Sequence, residues 1–160
     1  MHKSRTVLLL ILILCLWVRG IVYSEEVGEN RGPLQQKLAQ MARHFLGLPY
    51  RWGGMSERSG MDCSGLIKTV FAKLNIELPR TSREQFHSGE DIALEELQTG
   101  DLLFFSSDGM APDHVGIYIG NQRFVHAEKK AGHVIITALN QPWYTRHFFG
   151  ARRIVESQHG

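Results

Sequence analysis

Two cysteines occur in this chain of 160 residues, and one of them, Cys63, has the surroundings of a nucleophile. It stands between Asp62 and Ser64-Gly65, at the head of an apolar periodicity (Leu66, Ile67, Val70, Phe71, Leu74) that predicts a helix from about Cys63 to Lys73. A thiol in the first turn of a helix meets unpaired backbone N–H groups and the positive end of the helix dipole, both of which favour a thiolate. A lone cysteine is more often a small apolar core residue. The polar neighbours and the glycine-rich approach over residues 48–62 argue for a cleft instead.

A thiol nucleophile needs a base, and the base needs a group that holds its ring. His114 opens the run His114-Val115-Gly116-Ile117-Tyr118-Ile119, and His126 closes Phe124-Val125-His126. A hairpin turning around Gly120-Asn121 would set the two histidines directly opposite each other, with both rings on one face. One imidazole could then take the Cys63 proton while the other binds its distal nitrogen. Two other readings compete: a metal site completed by Asp113 or His133, and plain solvated strand ends. Zinc sites use local spacings such as His-x-x-x-His, which the sequence lacks, so neither metal nor cofactor is expected.

These residues must be positioned by the elements around them. Pro33 opens a helix whose buried face is Leu34, Leu38, Met41, Ala42 and Phe45, with Gly47 as its stop. The Cys63 helix follows, and Thr81-Ser82-Arg83-Glu84-Gln85 predicts a short capped third helix. After Gly100 the pattern becomes that of strands: 101–105, 114–119, 123–126, 133–137 and 148–154, separated by short polar turns. Helices first and an antiparallel meander second make an α+β domain.

The amino terminus is of another kind. Lys3 and Arg5 precede an unbroken apolar run from Val7 to Val18, which is short for a membrane span and reads as a secretory signal cleaved near Ser24. An uncleaved anchor is the alternative; Cys15, flanked by Leu14 and Leu16, is a poor lipid-attachment site. Cleavage removes three of the 18 basic residues and none of the 16 acidic ones, leaving one net negative charge and no footprint for nucleic acid. It also leaves Cys63 as the one thiol of an exported protein, a liability unless buried or working. The expected layout is a signal peptide at 1–24, a flexible mature terminus at 25–33, a domain at 34–155 and a tail at 156–160.

Six motifs in this order resemble the NlpC-type cell-wall cysteine peptidases: Tyr50-Arg51-Trp52-Gly53-Gly54, Asp62-Cys63-Ser64-Gly65, Leu78-Pro79-Arg80-Thr81-Ser82 with Gln85, Gly100-Asp101-Leu102-Leu103-Phe104-Phe105, His114-Val115-Gly116-Ile117-Tyr118 and Phe124-Val125-His126-Ala127. The resemblance covers residues 34–155. It implies a papain-like core, with the cysteine heading a helix packed on a small antiparallel sheet. It further implies Cys63 as nucleophile, His114 as general base, His126 as the residue orienting it, and Tyr50 as a hydroxyl lining the site near the oxyanion. Asp62 and Ser64 match positions that in some members bind the amine of a stem peptide. Arg80 and Gln85 match positions near the cleft, although Arg80 could equally be a structural ion-pair partner. The implied substrate is a peptidoglycan stem peptide, cut at the D-alanyl to diaminopimelate crosslink, with the D-glutamyl to diaminopimelate bond as the alternative, by a monomer in the periplasm or wall. A module that binds wall peptides without cutting them, or another thiol acyl hydrolase or transferase, are the alternatives.

Overall fold

The computed structural model of the protein describes residues 32–154. The expected signal peptide with Cys15, the mature terminus up to residue 31 and the tail at 156–160 lie outside the described residues.

Helix α1, Pro33–His44, begins with proline at its first position and buries Leu38, Ala39 and Ala42. The loop after it contains a small hairpin, β1 (Met55–Ser56) with β2 (Gly60–Met61), and ends at Asp62. That residue caps α2, Cys63–Ala72: its side chain accepts the Gly65 N–H at 2.7 Å. Helix α2 buries Leu66, Ile67, Val70 and Phe71 completely, so it is a core helix more than a surface one. Thr81 and Glu84 form a reciprocal capping box that starts the short α3, Ser82–Gln85.

The sheet contains β3 (Glu90–Ile92), β4 (Leu102–Phe105), β5 (His114–Tyr118), β6 (Arg123–Glu128), β7 (His133–Ala138) and β8 (Phe148–Arg153), in the order β3-β8-β4-β5-β6-β7, with every pairing antiparallel. The expected meander therefore holds from β4 to β7, while β8 returns to the far side of β4. Strand β4 explains why Leu102-Leu103-Phe104-Phe105 has no polar alternation: it is central and covered on both faces. Leu102 and Phe104 join the core under α1 and α2, and Leu103 and Phe105 join a second core with Tyr118, Phe124 and Tyr144. Tyr144 comes from α4, Pro142–His147, a helix too short for periodicity to announce.

The β5–β6 hairpin departs from the expected register. Gly120, Asn121 and Gln122 all take positive φ, and the strands pair Ile117 with Val125 and Tyr118 with Phe124. Continued along the strands, this register sets His126 against Gly116 and places His114 one diagonal step away instead of directly opposite. Gly116 is needed there, because a Cβ at that position would overlap the Phe124 ring.

Candidate active site

Cys63 approaches from the helix side of the sheet, and the two histidines from the face toward α4. Val115 and Ile117 of β5 pack in the helix-side core, so the alternation of the strand turns His114 to the other face, where it lies 6.1 Å from Phe105 between ring centroids. His126 shares that face with Phe124 and Tyr144. Both sides meet where β5 begins: the Cys63 Sγ lies 4.0 Å from the Asp113 carbonyl oxygen. There Cys63 and His114 line one cleft of about 550 Å³ together with Tyr50, Trp52, Glu128 and Trp143.

The imidazoles of His114 and His126 touch through a 2.8 Å contact between His114 Nε2 and His126 Nδ1, and His126 Nε2 lies 2.8 Å from the Thr137 hydroxyl. These contacts determine the protonation pattern. For His114 Nδ1 to receive a proton from Cys63, its Nε2 must carry the ring hydrogen and donate it to His126 Nδ1. His126 must then carry its own hydrogen on Nε2 and donate to Thr137. Glu128 brings a third potential donor atom within 4.8 Å of the two histidines. Three of the four imidazole nitrogens are, however, already engaged with one another and with Thr137, which leaves His114 Nδ1.

Electrostatics separates this thiol from the expectation of a helix-favoured thiolate. Burial, followed by the Asp62 carboxylate, pushes Cys63 up to about 11, against the lowering effect of backbone N–H groups. The residue is only 9% exposed, and lost hydration outweighs the helix terminus. Burial also lowers His114, with Glu128 and Asp113 opposing it. It holds His126 far below the usual histidine range, helped by the charge of His114. Both shifts favour the uncharged forms, a thiol and a neutral imidazole, at neutral pH. Tyr50 is pushed up to about 12 by burial, then by Cys63, Asp62 and Glu128, so its hydroxyl remains a hydrogen-bond donor.

On the other flank of Cys63, a second depression of about 340 Å³ is lined by Trp52, Asp62, Ser64, Arg80 and Asp113 among others. The Arg80 guanidinium grips both Asp62 oxygens, at 3.0 and 2.6 Å, and reaches the Ser64 hydroxyl at 2.9 Å. The Asp62 Oδ2 also accepts the Gly53 N–H at 2.9 Å. Asp62 is therefore engaged by the helix cap, the loop and Arg80, and Arg80 both pairs with Asp62 and lines this depression. Gln85 is fully buried behind this wall and lines neither depression. Its amide donates to the carbonyls of Ser64 and Pro79 at 3.0 and 2.9 Å, so it supports the wall from within.

Residues 47–153, which contain all six motifs, match the NlpC/P60 family. The chain belongs to the NlpC/P60 family. It is similar to the murein DD-endopeptidase MepH of Escherichia coli K12, with 42% identity over 128 residues, 75% of this chain and 47% of that protein. It is also similar to a gamma-DL-glutamyl hydrolase of Bacillus subtilis, with 35% identity over 150 residues, 92% of this chain and 36% of that protein. The chain thus spans less than half the length of either relative. Among solved structures, an NlpC/P60 family protein from Bacillus cereus superposes with a TM-score of 0.73 at 39% identity, over 78% of this chain and 41% of that one. The α+β fold expected from the sequence is the NlpC/P60 fold.

Several residues at this NlpC/P60 site have no role assigned by the sequence alone. Trp52 and Trp143 stand at the cleft as partly or largely exposed aromatics, 82% and 37% accessible, and Lys129 lies 5.9 Å from the Trp52 ring centroid. Thr137 comes from β7 and Tyr144 from α4. Glu128 was the accessible one: two positions after His126 on a strand, it must project from the same face.

Proposed function

We propose that this chain is a cysteine peptidase of the bacterial envelope that hydrolyses peptidoglycan stem peptides, at the D-alanyl to meso-diaminopimelate crosslink. The single observation that carries the reading is the convergence of Cys63 and His114 in one cleft, with His114 held by His126 at 2.8 Å. His114 takes the Cys63 proton, the thiolate attacks the scissile carbonyl, and the tetrahedral oxyanion meets donors at the head of α2 and the Tyr50 hydroxyl. The protonated His114 then gives its proton to the leaving amine. Water, activated by the same imidazole, releases the acyl group from Cys63.

The crosslink is favoured by the name of the Escherichia coli relative, a murein DD-endopeptidase. A second reading, cleavage after D-glutamate within one stem, is supported by the Bacillus subtilis relative named for gamma-DL-glutamyl hydrolysis. The rest of the proposal is an enzyme exported on residues 1–24, with a catalytic domain at 34–155, working as a monomer without metal, cofactor or nucleic acid. Among the described residues, no helix is long and apolar enough to cross a membrane.

Mass spectrometry of crosslinked peptidoglycan digested with the protein, beside Cys63→Ala, tests this. Crosslinked dimers should collapse to monomers only with Cys63 present. Stems shortened after D-glutamate would keep the chemistry and move the specificity. Binding without any product would replace the enzyme with a wall-peptide binding module.

A further inference from the structure

We infer that Glu128, clamped by Tyr144, is a positioning residue that supplies the negative charge His126 lacks, stabilising the His114 imidazolium formed when Cys63 gives up its proton. The inference rests on the reading of Cys63 and His114 as nucleophile and base.

In sites where a carboxylate is the third member, that group both orients the base and balances its positive charge. His126 can do only the first. It is completely buried, its two ring nitrogens are engaged by His114 and Thr137, and its burial keeps it neutral. A neutral imidazole fixes the tautomer of His114 and leaves the new charge uncompensated.

Glu128 is placed to compensate it. It projects from the same face of β6 as His126, its Oε2 lies 3.8 Å from His126 Nδ1, and its carboxylate falls within the 4.8 Å cluster that includes a His114 nitrogen. It is also fixed. Oε2 accepts the Tyr144 hydroxyl at 2.6 Å, and Oε1 accepts the Lys130 N–H at 3.0 Å. These bonds favour the ionised form and hold the carboxylate below its ordinary range despite its partial burial. Tyr144 cannot readily turn away, since its ring packs edge-on against His126, Phe124 and Phe105 at 5.4, 5.0 and 5.1 Å. Tyr144 thus packs against His126 with its ring while its hydroxyl holds Glu128.

Other titratable or charged groups face His114 as well. Cys63 and Tyr50 line the cleft from α2 and the preceding loop, and Lys129 and Lys130 line it from the β6–β7 turn, where they oppose an imidazolium. Asp113 supports it, but its carboxylate is exposed and occupied by the backbone N–H and hydroxyl of Ser107. Glu128 is the larger of the two favourable charges on His114.

The test is the rate at which iodoacetamide alkylates Cys63, followed against pH in the full chain by mass spectrometry of the Cys63 peptide so that Cys15 does not contribute. Hydrolysis of crosslinked peptidoglycan is measured alongside. In Glu128→Gln, alkylation at pH 7 should fall about tenfold while the rate above pH 10 is preserved, because only the thiolate–imidazolium pair needs the carboxylate. The kcat should fall by a similar factor with KM within about twofold. Tyr144→Phe, which keeps the ring and frees the carboxylate, should move both in the same direction by less. A merely structural role would change alkylation alike at every pH or raise it by opening the site. An unchanged rate at pH 7 in Glu128→Gln, with the wild-type protein hydrolysing its substrate, would overturn the role of Glu128 and leave the peptidase standing. A tenfold fall in a wild-type background that cuts no peptidoglycan would keep the role and remove the peptidase.

Discussion

Cys63 heads a helix and is nonetheless a protonated thiol at rest, because burial and Asp62 together outweigh the helix terminus. Its reactivity therefore depends on its neighbours. Thr137 is the most remote of these: its hydroxyl is the acceptor that holds His126 in the tautomer needed to receive the His114 N–H. Thr137→Val keeps the shape and removes the acceptor. Losing one such buried partner costs about 1 to 2 kcal/mol, so kcat in the peptidoglycan assay should fall roughly five- to thirtyfold, with little change in KM. Tyr50 acts from the opposite wall. If the proposed mechanism holds and its hydroxyl meets the oxyanion, Tyr50→Phe should lower kcat about a hundredfold. Since the hydroxyl is held up to about 12, it loses its proton only as the pH approaches that value, and the wild-type pH–rate profile should show no inflection from Tyr50 below about pH 11.

At the scale of the element, the start of α2 does most of the positioning. Asp62 caps the helix, anchors the Gly53 N–H and pairs with Arg80 through both oxygens. Asp62→Ala removes the cap and strands a partly buried guanidinium, and should cost about 2 to 4 kcal/mol, read as a lower urea midpoint at unchanged slope. Gly65 serves the same junction differently. A Cβ there would overlap the Gly54 carbonyl oxygen, so the loop closes on the first turn of the helix only because the residue is glycine. Gly65→Ala should displace the loop carrying Tyr50 and Trp52. The expected outcome is an activity loss larger than the loss in thermal midpoint accounts for, checked by comparing hydrolysis at a temperature where both proteins are folded.

Over the whole molecule, the sheet joins two faces that the site needs together, and its closure depends on β8 lying against β4. The pair Asp101–Arg153 spans that junction, with two contacts of 2.8 Å and an aspartate that is 1% exposed. Asp101 Oδ2 also accepts the Gln98 N–H at 2.7 Å. Asp101→Ala leaves a half-enclosed arginine and an orphaned N–H, and should destabilise the fold by about 3 to 5 kcal/mol in a denaturant titration. Because the pair lies away from the cleft, the enzyme that remains folded should keep its KM.

Much of this was open to reading in one dimension, because local chemistry is short-ranged. The apolar period after Asp62 places Cys63 in the first turn of α2, Thr81 with Glu84 announces α3, and the strands containing His114 and His126 follow from their composition and turns. The sequence by itself determined the family, and it singled out Cys63, His114 and His126 as the residues on which the proposed chemistry rests. Tertiary structure decided what those residues are chemically. Three consecutive positive-φ residues shift the hairpin register and make the histidines diagonal neighbours. Burial turns the favoured thiolate into a thiol. Arg80 becomes the partner of Asp62, Gln85 withdraws into the core, and Tyr144, from a helix too short to show a period, arrives to hold Glu128. Desolvation and cross-chain hydrogen bonds depend on which distant segments enclose a group, and that enclosure exists only once the sheet has closed.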